Sequence, residues 1–180
     1  PATGWTGSTQ GGSWMRSSKA LSIIFTSLTL AAPVMANEAF PIGCFARSYS
    51  ADHLAAHPGQ GIAALSIEFS EEGDWPGESY FFVRARMSDR GQAARDGVQG
   101  MTLFEGGTCR HENSNCYVDC DGGGFDLISW DGDTVLIATS GMRLTLDGCD
   151  GDAISSLNET YDGETRYRLY AAQPEACSES

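Results

Sequence analysis

Apolar and polar residues alternate with a period of two along much of the chain, and a helical period is almost nowhere seen. Over Ile62–Phe69, Ala63, Leu65, Ile67 and Phe69 fall on one face and Ala64, Ser66 and Glu68 on the other. Over residues 80–87, Phe81, Val83, Ala85 and Met87 oppose Tyr80, Phe82, Arg84 and Arg86. A strand turns successive side chains to opposite faces, so both segments predict strands with one buried side. Shorter runs at residues 44–49, 101–105 and 116–120 read the same way. Residues 125–130 and 134–139 flank Asp131-Gly132-Asp133, a short glycine-centred link that predicts a hairpin. Residues 142–146 and 165–171 complete a set of about nine strands.

Two segments break the alternation. Residues 50–57 open on the cap-forming Ser50 and stop before Pro58-Gly59, which predicts one helix of two turns at most. Residues 88–100 are polar and glycine-bearing and predict a mobile loop. The expected fold is all-β: one antiparallel barrel or sandwich, stapled by disulfides, with one short helix.

The N-terminal region follows a different logic. Met15-Arg16-Ser17-Ser18-Lys19 is basic, residues 20–32 are an apolar run, and Pro33-Val34-Met35-Ala36 ends in small residues. That order predicts a secretory signal peptide over residues 15–36, cut after Ala36. The 13-residue run is too short for a membrane span, which needs roughly 20. Residues 1–14 lie upstream of Met15 and are expected to be leader, leaving a mature β-domain at residues 37–180 without stable membrane insertion.

Charge narrows the function. The 180 residues carry 24 acidic groups against 11 basic ones, a formal net charge of −13. Losing Arg16 and Lys19 with the signal leaves nine basic residues, all arginine, and a net charge of −15. Such a surface repels phosphate backbones and anionic lipid, so nucleic acid is not an expected partner. A mature domain without lysine excludes Schiff-base chemistry and a phosphate-loop lysine.

Cys44, Cys109, Cys116, Cys120, Cys149 and Cys177 are an even set behind an export signal, which reads as three disulfides among fifteen possible connectivities. One arrangement has Cys44–Cys177 tying the chain ends, Cys109–Cys116 closing a small loop and Cys120–Cys149 cross-linking two strands.

Three constellations have chemical potential. His53 and His57 share a helix face at a metal-binding spacing, and His111 is a candidate third ligand. No glutamate sits between them as in HExxH proteases, and two surface histidines near a helix C-terminus are the plainer reading. Asp119-Cys120-Asp121-Gly122-Gly123-Gly124-Phe125-Asp126 gathers carboxylates around a flexible loop, and Asp147-Gly148-Cys149-Asp150-Gly151-Asp152 does likewise. Neither has EF-hand spacing, and Asp-Gly is ordinary turn vocabulary, so calcium and zinc are possible without being required and no cofactor is expected. Arg84 and Arg86 share a strand face with Tyr80 and Phe82, and Arg166, Arg168 and Tyr170 repeat the mixture. Arginines with aromatics on a concave β-surface suit an anionic or aromatic ligand; on a solvent face they would pair with the abundant carboxylates. No GxSxG or other nucleophile motif is present, so no catalytic residue is assigned and catalysis is not expected.

The segments His53-Leu54-Ala55-Ala56-His57-Pro58-Gly59-Gln60 and Cys116-Tyr117-Val118-Asp119-Cys120-Asp121-Gly122-Gly123-Gly124 resemble small exported proteins of Gram-negative bacteria that carry no assigned function. The resemblance implies periplasmic or secreted placement and a disulfide-bearing domain. It implies no substrate, cofactor or catalytic residue. Small periplasmic inhibitors and lipocalin-like carriers share the same physical profile at the level of fold. The expected function is therefore an exported, non-enzymatic domain that binds a small ligand or a protein partner. The alternative is a metal-dependent protein, enzyme or buffer, built on His53 and His57.

Overall fold

The computed structural model describes residues 39–71, 73–118, 121–146, 155–159 and 163–178. The expected leader and signal peptide, the Cys120–Cys149 pair and the Asp147–Asp152 carboxylates lie outside the described residues.

Alternating residues become strands, and eight strands close into an antiparallel barrel. In chain order the elements are β1 (Gly43–Ser48), α1 (Ala51–Ala56), β2 (Ile62–Phe69), β3 (Glu78–Met87), α2 (Gly91–Asp96), β4 (Thr102–Arg110), β5 (Asn115–Val118), β6 (Gly124–Trp130), β7 (Thr134–Thr139), β8 (Arg143–Leu144), β9 (Ser155–Ser156), β10 (Thr165–Ala171) and α3 (Glu175–Ser178). Strands β1 to β7 run as a meander of neighbours, β8 and β9 form a separate two-stranded ladder, and β10 returns between β7 and β1 to close the ring. Closure leaves no sheet edge to aggregate.

The parity read from sequence is the parity of the barrel. Ala63, Leu65, Ile67 and Phe69 are buried, as are Phe81, Val83, Ala85 and Met87. Their neighbours Glu68, Tyr80 and Arg86 are exposed. An eight-stranded barrel is just wide enough for side chains to fill it. Here Phe69 of β2 meets Phe125 of β6, ring centroids 6.3 Å apart, although the two strands stand four positions apart in either direction around the ring. Phe81 meets Phe125 at 5.0 Å and Phe45 meets Phe69 at 6.1 Å, both edge to face. Phe40 seals one end, 5.8 Å from Phe69. Ala93 and Val98 of the α2 region and Met142, Leu144 and Leu157 beside the β8–β9 ladder join the same core. Apolar inside and charged outside is the inverse of the pattern of a membrane-spanning barrel. Among the described residues no helix is long and apolar enough to cross a membrane.

Among the described residues one charged side chain lies in the core. Glu105 stands opposite Val83 in register and is 2% exposed. Arg143 meets it at 2.9 Å, as a buried carboxylate requires. With the backbone bridge between Phe104 and Thr145, this pair fastens the β8 segment alongside β4 above the short β5.

Three expectations need correction. Residues 88–100 are not simply a loop: α2 forms there, burying Ala93 completely, while Gly97 ends it in the left-handed region at φ +74°. With α3 at the C-terminal end, the described residues hold three short helices where one was expected. The strand expected at residues 101–105 runs on through Gly106-Gly107 to Arg110, because the missing Cβ at Gly107 makes room for the Tyr117 carbonyl and the Phe81 ring. The glycines after Asp121 are not slack: a Cβ on Gly123 would strike the Gly141 carbonyl oxygen, and one on Gly124 the Cys116 carbonyl oxygen. The predicted helix at α1 forms as expected, with the Ser50 side chain accepting from the His53 amide. The Asp131-Gly132-Asp133 hairpin also forms, its Asp131 carboxylate accepting from the Thr134 amide and hydroxyl at 2.8 and 2.6 Å. Those bonds hold the Asp131 carboxyl below the ordinary carboxylate range.

Disulfides join Cys44 to Cys177 and Cys109 to Cys116. The first links residues 133 apart and the second residues 7 apart. Loop-closure entropy grows with length, so replacing Cys44 and Cys177 by serine should cost about 2–5 kcal/mol in urea unfolding. The same change at Cys109 and Cys116 should cost less; equal losses would show that the long clasp does not constrain the unfolded chain.

Candidate functional site

Arg84 and Arg86 on the outer wall make no ion pair among the described residues. Tyr80, Phe82, Arg84 and Arg86 all face outward on β3, and Arg166, Arg168 and Tyr170 face outward on β10. Strands β2 and β1 separate the two sets, so they do not form one site, and they sit on the convex outside of the barrel rather than on a concave face. A groove of about 340 Å³ runs beside Arg84 and Arg86 over Ala64 and Ser66, with Ala176 of α3 as one wall. Arg47 borders it on β1 but stands opposite the inward-facing Leu65 in register, so its side chain leaves the other face of the sheet.

Each arginine of the groove is held differently. The Arg84 guanidinium donates to the Cys177 carbonyl and lies 4.5 Å from the Phe82 ring centroid. This ties α3 to the barrel beside the Cys44–Cys177 disulfide. Arg47 lies 4.7 Å over the Tyr49 ring and donates to the Arg168 carbonyl at 3.4 Å. Arg86 is exposed and makes no hydrogen bond or ion pair among the described residues. Elsewhere arginines do meet carboxylates: Arg90 with Asp89, Arg110 with Glu78 and Arg166 with Glu164.

The histidines do not converge. His53 and His57 stack, ring centroids 4.2 Å apart and planes 20° apart, with Tyr49 stacked on His53 at 4.8 Å. His111 follows β4 at the opposite end of the barrel, bonded to Ser79 at 2.8 Å and stacked on Phe40 at 4.0 Å. The Gln60 amide donates to the Ile62 carbonyl at 2.8 Å, which turns its oxygen to the His53 Nε2–H at 3.0 Å. The His57 Nδ1–H donates to the His53 carbonyl at 2.8 Å. In the neutral rings this leaves lone pairs on His53 Nδ1 and His57 Nε2. Those lone pairs lie in near-parallel planes, and a shared ion would require the stack to open. Among the described residues no group of three His, Cys, Asp or Glu side chains is assembled for a metal.

Beside this stack lies a constellation that no sequence pattern announces. The Tyr167 hydroxyl is 2.7 Å from the Leu157 carbonyl and 3.1 Å from Glu159 Oε1, two acceptors for one proton. Burial pushes the Glu159 carboxyl above its ordinary range, against bonds from Tyr167 and the Ile62 amide and the proximity of His57. Burial, reinforced by Glu159, likewise raises the Tyr167 phenol, and burial raises Tyr49 against the opposing Arg47. Asn158-Glu159 reads as ordinary loop; only the fold brings it to Tyr167 and α1. Arg47 is equally silent in sequence, one arginine at the end of a short strand.

Fold and wall define the class: a closed, filled, eight-stranded antiparallel barrel with its polar side outward. Comparison with protein-family models, curated proteins and solved structures finds no match, so functional inference rests on the site itself.

A raised carboxyl pKa means that the folded state holds the proton more tightly than the unfolded one. The resulting stability is present below the ordinary carboxyl pKa and is lost as pH rises through the higher folded value. Glu159→Gln should therefore raise the melting temperature at neutral pH, with the advantage shrinking as the pH falls into the acid range. A lower melting temperature at neutral pH would show that the bonds from Tyr167 and Ile62 outweigh the burial.

Proposed function

We propose that this is an exported binding domain that meets a small ligand or a protein partner on its outer wall, in the periplasm or outside the cell, without catalysing a reaction. The observation that carries this reading is the contact of Phe69 with Phe125 across the barrel. Lipocalin-like carriers need an open lumen. Here aromatic rings occupy it, Phe40 closes one end and the α2 and β8–β9 regions join the core at the other. Recognition is left to the outside, where arginines and aromatic rings lie together on β3 and its neighbours. Two disulfides favour an oxidising compartment, in keeping with export.

The metal-dependent alternative draws on a narrower observation, the free lone pairs of His53 and His57 once each ring has spent one N–H on a fixed acceptor. Zinc titration by calorimetry separates the two: binding lost on replacing both histidines by alanine would favour the alternative.

The outer-wall reading is tested with a neutral apolar dye, N-phenyl-1-naphthylamine. The native protein should show no saturable fluorescence enhancement, whereas Phe69→Ala, which hollows the lumen at a cost of about 3–5 kcal/mol, should gain it. Saturable one-to-one binding by the unaltered protein would place ligands inside and contradict the reading.

A further inference from the structure

We infer that α3 is a strap on the outer wall, latched by the Cys44–Cys177 disulfide, and that a dithiol reductant releases it and uncovers the wall of β1 and β2 beneath. Strap and latch go beyond the outer-wall reading and hold whatever that wall binds.

Helix α3 has four residues, far fewer than a helix needs to persist by itself in water. Its hold must come from the barrel, and it lies against β1 and β2. There one outward row runs Ala46, Ser66 and Arg84, paired in register across β1, β2 and β3. Alanine and serine keep the wall low where α3 rests, whereas the outward positions of β3 carry Tyr80, Phe82, Arg84 and Arg86. Ser66 is 7% exposed although its place in the strand turns it away from the lumen. Arg84, at the end of the row, donates to the Cys177 carbonyl.

What α3 buries decides how it is held. Its only buried residue is Cys177, and that side chain is half of the bridge. Once the bridge opens, one small thiol side chain and the Arg84 bond are what α3 keeps on the wall. The second disulfide is of another kind. Cys109 and Cys116 stand opposite each other in the β4–β5 ladder, whose backbone bonds join the strands with or without the sulfurs.

Access differs in the same sense. Cys109 and Cys116 are both 0% exposed, whereas Cys44 is 7% exposed. Exchange requires an attacking thiolate to reach a sulfur. One thiolate of the dithiol attacks Cys44 Sγ, the bond to Cys177 breaks, and Cys177 leaves as a thiolate that takes a proton from water. The second thiolate of the reductant then displaces Cys44, so the reductant ends as a disulfide and both cysteines as thiols. Coverage of the wall thereby follows the redox poise around the protein.

The test is stepwise reduction of the full chain by dithiothreitol without denaturant. Free thiols are trapped with iodoacetamide and mapped by peptide mass, and hydrogen exchange is measured on the same samples. Cys44 and Cys177 should be trapped at least about tenfold faster than Cys109 and Cys116. With only the first pair opened, exchange at the Ala176, Cys177 and Ser178 amides, which bond to the Gln173 and Pro174 carbonyls, should speed up about tenfold or more. The β3 amides should stay protected. Cys44→Ser combined with Cys177→Ser should match the reduced protein without any reductant. Arg84→Gln with the disulfide intact should leave exchange in α3 within about threefold of the parent. Equal trapping of both pairs, unchanged exchange in α3 after the first pair opens, or release of α3 by Arg84→Gln alone would overturn the inference. Loss of β3 protection together with α3 would also overturn it, because the bridge would then staple the whole barrel and not a strap.

Discussion

Two phenylalanines from opposite walls of the barrel touch, and the remaining architecture is arranged around that contact. An eight-stranded ring encloses little more than the volume of its own inward side chains. When Phe45, Phe69, Phe81 and Phe125 all point inward and pack edge to face, the lumen is a hydrophobic core and not a container. The same rings explain the bare stretch of β4, since Gly107 leaves the space that Phe81 fills. They also explain why the ends are sealed by apolar side chains from segments that contribute little else. A core of this kind stabilises the domain through burial, and the disulfides add a constraint on the unfolded chain.

With the interior committed to packing, the polar chemistry of the barrel lies on its wall. There the contrast among arginines is informative. Arg143 neutralises a core carboxylate and fastens the β8 segment; Arg110 reaches the half-buried Glu78, and Arg166 pairs with the exposed Glu164, an interaction worth little to stability. Arg47 and Arg84 are braced by neutral groups, and Arg86 is left to solvent. The Glu159 carboxyl lies at the α1 end of the barrel. It is held at a position where burial works against its charge, with Tyr167, Tyr49 and His57 around it.

The strands were legible because a period of two survives any context in which one face is buried; the inward and outward faces expected at β2 and β3 are those observed, with β3 starting earlier, at Glu78. The cap at Ser50 and the hairpin at Asp131 were legible because their side chains bond locally. Barrel rather than sandwich was not, since closure depends on β10 pairing with β1 across most of the chain length. Helix α2 escaped because it buries only Ala93 and is framed by Gly91 and Gly97, a composition shared with loops. For the site, Arg84 and Arg86 were singled out by their aromatic neighbours, but their convex placement and the separation from Arg166 and Arg168 belong to the curvature of the sheet. The divergence of His111 from His53 and His57 likewise follows from strand direction, which residue spacing does not encode.

The claim on which this account stands is that the barrel is filled by rings meeting across it. Nuclear Overhauser spectroscopy on protein with selectively labelled phenylalanine measures this directly. Cross-peaks between the ring protons of Phe69 and Phe125, alongside those linking Phe81 to Phe125, are the expected result. Their absence, with both rings instead showing exchange contacts to water or to an added apolar molecule, would mean that the lumen is open and that ligand binding belongs inside.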